Sequence, residues 1–237
     1  MRIDRHFLST NEKAIALQKE VENIRIEETG SLLMAEILEH IELMSLKPKY
    51  NTPKDKFSLK LGLFTIPSEQ QPLWDIRKIR HDKPLLLVES LKEGYRWLAE
   101  ISKSLKMPVE KIVLPSHING VKKELKKLKN DFGINLVNQS QKLERPVQAH
   151  AILQKLTYPE NQMILIDAGN KIGTNTLYLI ENYEFIGYSS VALVTDQTNW
   201  HLLKKKSTRV DKSVYLNSLI IKSLKDYKIK PIEFTTA

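Results

Sequence analysis

Strand-like and helix-like segments alternate along most of this sequence, and this alternation restricts the fold to one that combines helices with sheets. Strand patterns are predicted at residues 24–28, 57–66, 74–80, 84–89, 111–114, 134–137, 163–168, 176–181, 185–194 and 231–234. Helical spacing predicts helices at residues 11–23, 31–46, 90–106, 119–131, 147–156 and 212–227. Turns are expected to join neighbouring strands across Pro67 to Pro72 and at Asn182 to Glu184. The sequence therefore predicts a mixed α/β (α+β) fold.

The composition limits the classes of function that this chain can have. Hydrophobic residues make up 41% of its 237 residues, which is enough for an ordinary core. The lack of cysteine excludes disulfides and thiolate metal sites, and no apolar run approaches the ~20 residues that span a bilayer. Lys and Arg outnumber Asp and Glu by 37 to 28, a net charge of +9 that favours polyanionic partners such as DNA. The protein is predicted to be cytoplasmic.

The helix predicted at residues 31–46 carries a carboxylate among apolar side chains. A helical wheel gives one apolar face centred on Ile37 and a second stripe on the opposite side, with Glu39 in its middle. The other members of the second stripe are Leu32, Ala35, Leu43 and Leu46. Two stripes predict a helix that is packed from two directions. A buried, unpaired carboxylate is costly, so Glu39 requires a metal ion, a lysine or arginine, or a partly solvated groove.

Four short segments around this helix have the order and spacing of a known nuclease domain. They are Thr10-Asn11-Glu12-Lys13-Ala14, Thr29-Gly30-Ser31, Ala35-Glu36-Ile37-Leu38-Glu39 and Lys47-Pro48-Lys49-Tyr50-Asn51. Over these residues the chain resembles the second half of a GIY-YIG endonuclease domain related to excinuclease C. It is most similar to the bacterial type in which that domain is fused to an exonuclease of the DNA polymerase III epsilon type. The resemblance implies a GIY-YIG remnant at residues 1–56 and an α/β region at residues 57–237, either undivided or divided near residue 160.

The resemblance also assigns candidate catalytic residues. Glu39 matches the glutamate that holds a single divalent cation, Mg²⁺ or Mn²⁺, in that family. Arg2 matches an arginine that faces the scissile phosphate, with Arg5 as the alternative if the register differs, and Asn51 matches an asparagine that supports the site. A divalent cation and an arginine suit phosphodiester hydrolysis because both stabilise negative charge on the phosphoryl oxygens.

The residues that activate water in this family have no counterpart in the sequence. In the family they lie on the GIY and YIG strands, which would precede Met1. We therefore expect a structure-specific endonuclease of the DNA repair type in a truncated and inactive form. Its partners would be DNA and either an N-terminal exonuclease domain or other repair proteins. The alternative is a module that binds DNA without cutting it, or that binds another protein.

Two basic clusters are candidates for contact with DNA. The first lies on one face of the helix predicted at residues 119–131, and the second follows Trp200 and His201. Their members are Lys122, Lys123, Lys126 and Lys127 in the first cluster and Lys204, Lys205, Lys206 and Arg209 in the second. Either cluster can follow a phosphate backbone or be an ordinary solvated face. Trp200 is a candidate for stacking on a base.

Asp167 is a candidate for a second metal site. It ends an apolar strand pattern and precedes two more predicted strands, and Glu181, Asp196 and Asp211 are its candidate partners. An aspartate before a glycine-containing turn is also a common turn former. The sequence leaves both interpretations open.

Overall fold

A computed structural model describes residues 7–50, 59–67, 73–132, 149–192, 199–226 and 228–232. The helices in these ranges are α1 (Glu12–Glu20), α2 (Leu32–Leu46), α3 (Leu91–Leu105), α4 (Val109–Ile112), α5 (Ile118–Phe132), α6 (Ala149–Thr157), α7 (Trp200–Lys206) and α8 (Val214–Lys225). The strands are β1 (Leu61–Ile66), β2 (Leu73–Lys78), β3 (Leu86–Val88), β4 (Gln162–Ala168), β5 (Thr174–Glu181), β6 (Glu184–Ala192), β7 (Thr208–Arg209) and β8 (Lys230–Pro231). None of these helices is both long and apolar enough to cross a membrane.

Serine side chains begin three of the longer helices. Ser31, Ser90 and Ser213 precede α2, α3 and α8, and each hydroxyl oxygen accepts a hydrogen bond from the backbone N–H three residues later. Such caps satisfy one of the N–H groups that a helix leaves unpaired at its start. At the other end of α2, Lys47 is left-handed with φ 45°, and Pro48 follows it. The predicted helix at residues 31–46 is therefore confirmed at both ends.

The strands form two antiparallel sheets, which confirms a mixed α/β fold. The first sheet has the order β2-β1-β3, and the second has the order β7-β6-β5-β4-β8. The β5–β6 hairpin turns at Asn182 and Tyr183, both with positive φ, and such turns match the twist of the strands that they connect. The predicted hairpin across residues 67–72 is also confirmed, because β1 pairs with β2 along its whole length.

One main hydrophobic cluster joins the two sheets and most of the helices. Ile37 of α2, Trp97 of α3 and Ile220 of α8 are buried in it together with residues of β1–β6. This cluster contains residues from both sides of the predicted boundary near residue 56. A second, smaller cluster on the opposite face of the second sheet consists of Ile164, Leu177, Leu179 and Leu203.

Groups outside the strands satisfy the backbone at both edges of the first sheet. At the β3 edge, the backbone N–H of Leu87 donates to Oγ of Ser218 on α8 at 2.9 Å. At the β2 edge, Leu114 N–H donates to the carbonyl of Trp74 at 3.1 Å. His117 also lies on the β2 edge, where its Nε2 is 3.3 Å from the backbone nitrogen of Ile76. Neither edge therefore ends in free backbone groups at these positions.

Some local predictions are wrong. Residues 24–28 are not a strand but an exposed, unpaired segment, tied to α2 by an ion pair of 2.8 Å between Arg25 and Glu42. The strand predicted at residues 111–114 is instead the end of α4, followed by a single parallel bridge from Val113 to Trp74. The helix α7 and the strand β7 were not predicted. The strand predicted at residues 134–137 lies outside the described residues.

Candidate functional site

Glu39 lies on α2 at the border between its buried and exposed faces. The buried face contains Leu33, Met34, Ile37, His40 and Leu43, and the side chain of Glu39 is half-buried beside it. The prediction that α2 is packed from two directions is wrong for the ends of the second stripe. Leu32 and Leu46 are 73% and 72% exposed, whereas Leu43 is buried.

The charges around Glu39 face α8. Burial raises the pKa of Glu36, and the nearby ammonium groups of Lys222 and Lys228 oppose that increase. The carboxylate of Glu39 adds to the increase. Burial, followed by the charges of Glu36 and Glu39, also raises the pKa of Tyr215 on α8. Two carboxylates thus share a region with two lysines and a tyrosine, which makes the position of Glu39 polar despite its apolar neighbours on α2.

The other predicted catalytic residues, Arg2 and Asn51, lie outside the described residues, as does Arg5. The described part of the chain contains no group of three or more His, Asp or Glu side chains that could hold a metal ion. From the predicted set it contributes Glu39 alone. Assignment of a single Mg²⁺ or Mn²⁺ to Glu39 therefore remains a prediction from the resemblance.

The first basic cluster, on α5, is divided between paired and unpaired lysines. Lys122 forms an ion pair with Glu110, and Lys127 forms one with Glu124 at 2.9 Å. Lys123 and Lys126 are exposed, and no carboxylate of the described ranges pairs with either. Only Lys123 and Lys126 on this helix are therefore available to an external anion without loss of an ion pair seen here.

The second basic cluster lies on α7 and β7. Nζ of Lys204 donates to both carboxylate oxygens of Glu181, at 2.6 and 2.7 Å. Lys205, Lys206 and Arg209 are exposed, and within the described part of the chain none of them forms an ion pair. We call these three residues the α7–β7 basic surface. They project from the edge of the second sheet.

Trp200 packs against the second hydrophobic cluster and is half-buried there. Its ring anchors α7 to the sheet together with Leu203. This contact leaves less of the indole free to stack on a base than the sequence suggested.

Asp167 has a local structural role. Its Oδ1 accepts a hydrogen bond from the backbone N–H of Ala168 at 2.8 Å, and its Oδ2 accepts one from the hydroxyl of Tyr178 at 3.0 Å. Of its three predicted partners, Glu181 is paired with Lys204, Asp211 is exposed, and Asp196 lies outside the described residues. These contacts favour the turn-forming interpretation of Asp167 over a second metal site.

A buried aspartate–histidine pair was not predicted. Nε2 of His117 lies 2.9 Å from Oδ1 of Asp75, and Arg77 donates to Oδ2 of the same carboxylate at 2.6 Å. Arg77 also donates to the exposed Asp82 at 2.7 Å. Burial tends to raise the pKa of Asp75, but the hydrogen bonds from His117 and Arg77 outweigh it and lower that pKa. The pair joins β2 to the start of α5, and 42 residues separate its members in sequence.

The largest of the clefts identified has a volume of about 570 Å³ and lies between α3, α5, α8 and β3. Its walls carry ion pairs that connect the helices. They are Lys222 with Glu89, Lys225 with Glu100, and Arg96 with Glu124. The ammonium of Lys225 also lies 3.4 Å from the centre of the Trp97 ring. Because most of these charges are already paired with each other, the cleft presents little net charge to a ligand.

Comparison with known proteins gave no match to a family model, to a curated protein or to a solved structure.

Proposed function

We propose that this chain binds nucleic acid through its unpaired surface cations, as part of a GIY-YIG endonuclease related to excinuclease C. The observation that carries the proposal is the division of the basic clusters. Five of the eight predicted cations are exposed and have no ion pair within the described part of the chain. A lysine that is not committed to a carboxylate can neutralise a phosphate and release its counterion at no internal cost.

The nuclease part of the proposal rests on the resemblance of residues 10–51. In it, Glu39 holds one Mg²⁺ or Mn²⁺, Arg2 faces the scissile phosphate, and Asn51 supports the site. The half-buried, polar position of Glu39 suits a carboxylate that binds a cation at a surface. The sequence lacks the tyrosines that activate water in that family, so we expect binding of DNA with little cleavage.

Salt-dependent binding of a labelled DNA duplex, measured by fluorescence anisotropy, tests the proposal. The helix α5 offers a matched pair of double variants with the same change in charge. Lys123→Gln with Lys126→Gln removes unpaired cations, whereas Lys122→Gln with Lys127→Gln removes paired ones. Each lost phosphate contact should reduce the slope of log K against log salt by about 0.9.

We expect the first double variant to reduce the slope and the second to change it less. The triple variant of the α7–β7 basic surface, with Lys205, Lys206 and Arg209 changed to Gln, tests the other cluster in the same way. If neither the α5 double variant nor the triple variant changes the slope, the basic clusters do not contact phosphate and the proposal fails.

Exposed apolar side chains favour a second candidate function, binding of another protein. Ile24, Ile26, Leu32, Met44 and Leu46 are all more than half exposed, and apolar groups clustered on a surface commonly mark interaction sites. Light scattering of the wild type and of the Leu32→Ser, Leu46→Ser double variant tests this. Self-association that the double variant abolishes would support it, and a monomer in both cases with unchanged thermal stability would count against self-association through this surface.

A further inference from the structure

A polar cleft of about 260 Å³ lies between α2 and the second sheet. Its floor is the face of β5 and β6 that points toward α2. The register pairs Thr176 with Ser190 and Tyr178 with Tyr188, and side chains alternate along a strand, so these four side chains lie on one face. Met34 and Leu38 of α2 form the apolar wall of the cleft, and Lys206 lines it as well. We call it the hydroxyl cleft.

Thr176 is the unusual member of the hydroxyl cleft. It is 5% exposed, and among the described residues its hydroxyl has no hydrogen-bond partner. Polar groups buried to this extent are almost always hydrogen-bonded in folded proteins, because an unmade bond costs free energy. A hydroxyl that lines a cleft without a protein partner therefore indicates a site for a polar ligand.

The charges of the cleft narrow the choice of ligand. Lys206 belongs to both the cleft and the α7–β7 basic surface, so the cleft opens onto unpaired cations. Glu27 and Glu28 line it as well, and they can accept hydrogen bonds from amino groups but repel a phosphate. Burial raises the pKa of the Tyr188 hydroxyl, with a hydrogen bond to Thr208 opposing the increase and the charge of Glu27 adding to it.

We propose that the hydroxyl cleft binds one nucleotide of a single-stranded nucleic acid. The nucleotide phosphate contacts Lys206, the base lies against the ring of Tyr188, and the hydroxyl of Thr176 bonds to a polar edge of the base. A cleft somewhat smaller than the roughly 300–1,000 Å³ typical of ligand pockets admits one nucleotide and excludes a duplex. The inference rests on the proposed binding of nucleic acid and specifies the form that is recognised.

The two glutamates also predict a preference among bases. Adenine, cytosine and guanine carry an exocyclic amino group that a carboxylate can accept from, whereas thymine has none. We therefore expect a short oligo(dC) strand to bind more tightly than an oligo(dT) strand of the same length. Free dCMP should compete with oligo(dC), because one nucleotide fills the cleft.

Thr176→Val is the decisive variant. It removes the hydroxyl while keeping the shape of the side chain, and loss of an unpaired buried hydroxyl should not destabilise the fold. We expect it to weaken oligo(dC) binding by about two- to ten-fold, the effect of one hydrogen bond, and to leave duplex binding unchanged. Lys206→Gln should also weaken oligo(dC) binding more than Lys205→Gln, since both lysines are exposed on α7 and only Lys206 lines the cleft.

The outcomes separate this inference from the proposed function. Failure of the wild type to bind either duplex or single strands would overturn both. Duplex binding together with equal affinity for oligo(dC) and oligo(dT), and with no effect of Thr176→Val, would overturn the hydroxyl cleft alone. Binding of dCMP that Thr176→Val weakens, with oligonucleotide binding unaffected, would assign the cleft to a free nucleotide and overturn the single-strand assignment.

Discussion

The buried contact between Asp75 and His117 makes a prediction that can be tested by unfolding. Asp75→Asn keeps the size of the side chain and removes its charge. A hydrogen bond to a charged group contributes about 1.5–3 kcal/mol when buried, which applies to the bond with His117. The side chain of Arg77 is 39% exposed and keeps its contact with Asp82, so its share falls to the ~0–1 kcal/mol of a surface ion pair. We expect a loss of about 2–4 kcal/mol in the free energy of unfolding.

Urea unfolding followed by tryptophan fluorescence measures this loss, and its dependence on pH supplies an independent check. The folded-state pKa of Asp75 is lowered, so its stabilising contribution is fully present above the unfolded pKa of about 4. The contribution is lost as pH falls through the folded-state value. The difference between wild type and Asp75→Asn should therefore shrink below about pH 4.

Asp82→Asn is the matched control. Asp82 also bonds to Arg77, but its side chain is 67% exposed, and its loss should cost at most about 1 kcal/mol. Equal effects of the two variants would refute the reasoning, and so would a difference between wild type and Asp75→Asn that does not change with pH. Either result would mean that burial of the carboxylate does not determine its contribution.

Three further predictions concern the core, the sheet edge and the chemistry. Ile37→Ala should lower the free energy of unfolding by about 2–5 kcal/mol because Ile37 is fully buried, whereas Leu32→Ala, on the exposed side of α2, should cost less than about 1 kcal/mol; urea unfolding distinguishes them. Ser218→Ala should cost about 1–3 kcal/mol in the same assay by leaving the N–H of Leu87 unsatisfied, and a neutral effect would mean that this edge is open to water. Plasmid DNA incubated with the chain and Mn²⁺ should show little nicking, and strong nicking that Glu39→Gln abolishes would contradict the expectation of an inactive chain.

The sequence predicted those elements whose signals are local. The β4–β5–β6 meander follows from alternating apolar residues and a short polar turn, and all three strands occur where they were expected. The start of α2 follows from Ser31, whose side chain makes the cap. In these segments the local preference and the tertiary packing agree, so the pattern alone was sufficient.

The remaining features depend on neighbours that are distant in sequence. A helical wheel identifies both apolar stripes of α2 but not which one another element covers, and Leu32 proved to be exposed. The wheel of α5 likewise places Lys122 and Lys123 side by side, although only Lys122 has a glutamate within reach, on α4. The segment at residues 24–28 has strand-forming residues, but no strand pairs with it.

The sealed edges of the first sheet limit how copies of this chain can associate. An open edge strand offers its backbone to the edge of another molecule, and such contacts lead to aggregation. Here a serine hydroxyl and a histidine ring occupy the positions that a neighbouring strand would take. The sheet cannot be extended at these positions without first displacing α8 or the turn that carries His117. Assembly of this protein, where it occurs, should therefore proceed through side-chain surfaces such as the exposed leucines of α2 and should leave the sheet content of the chain unchanged.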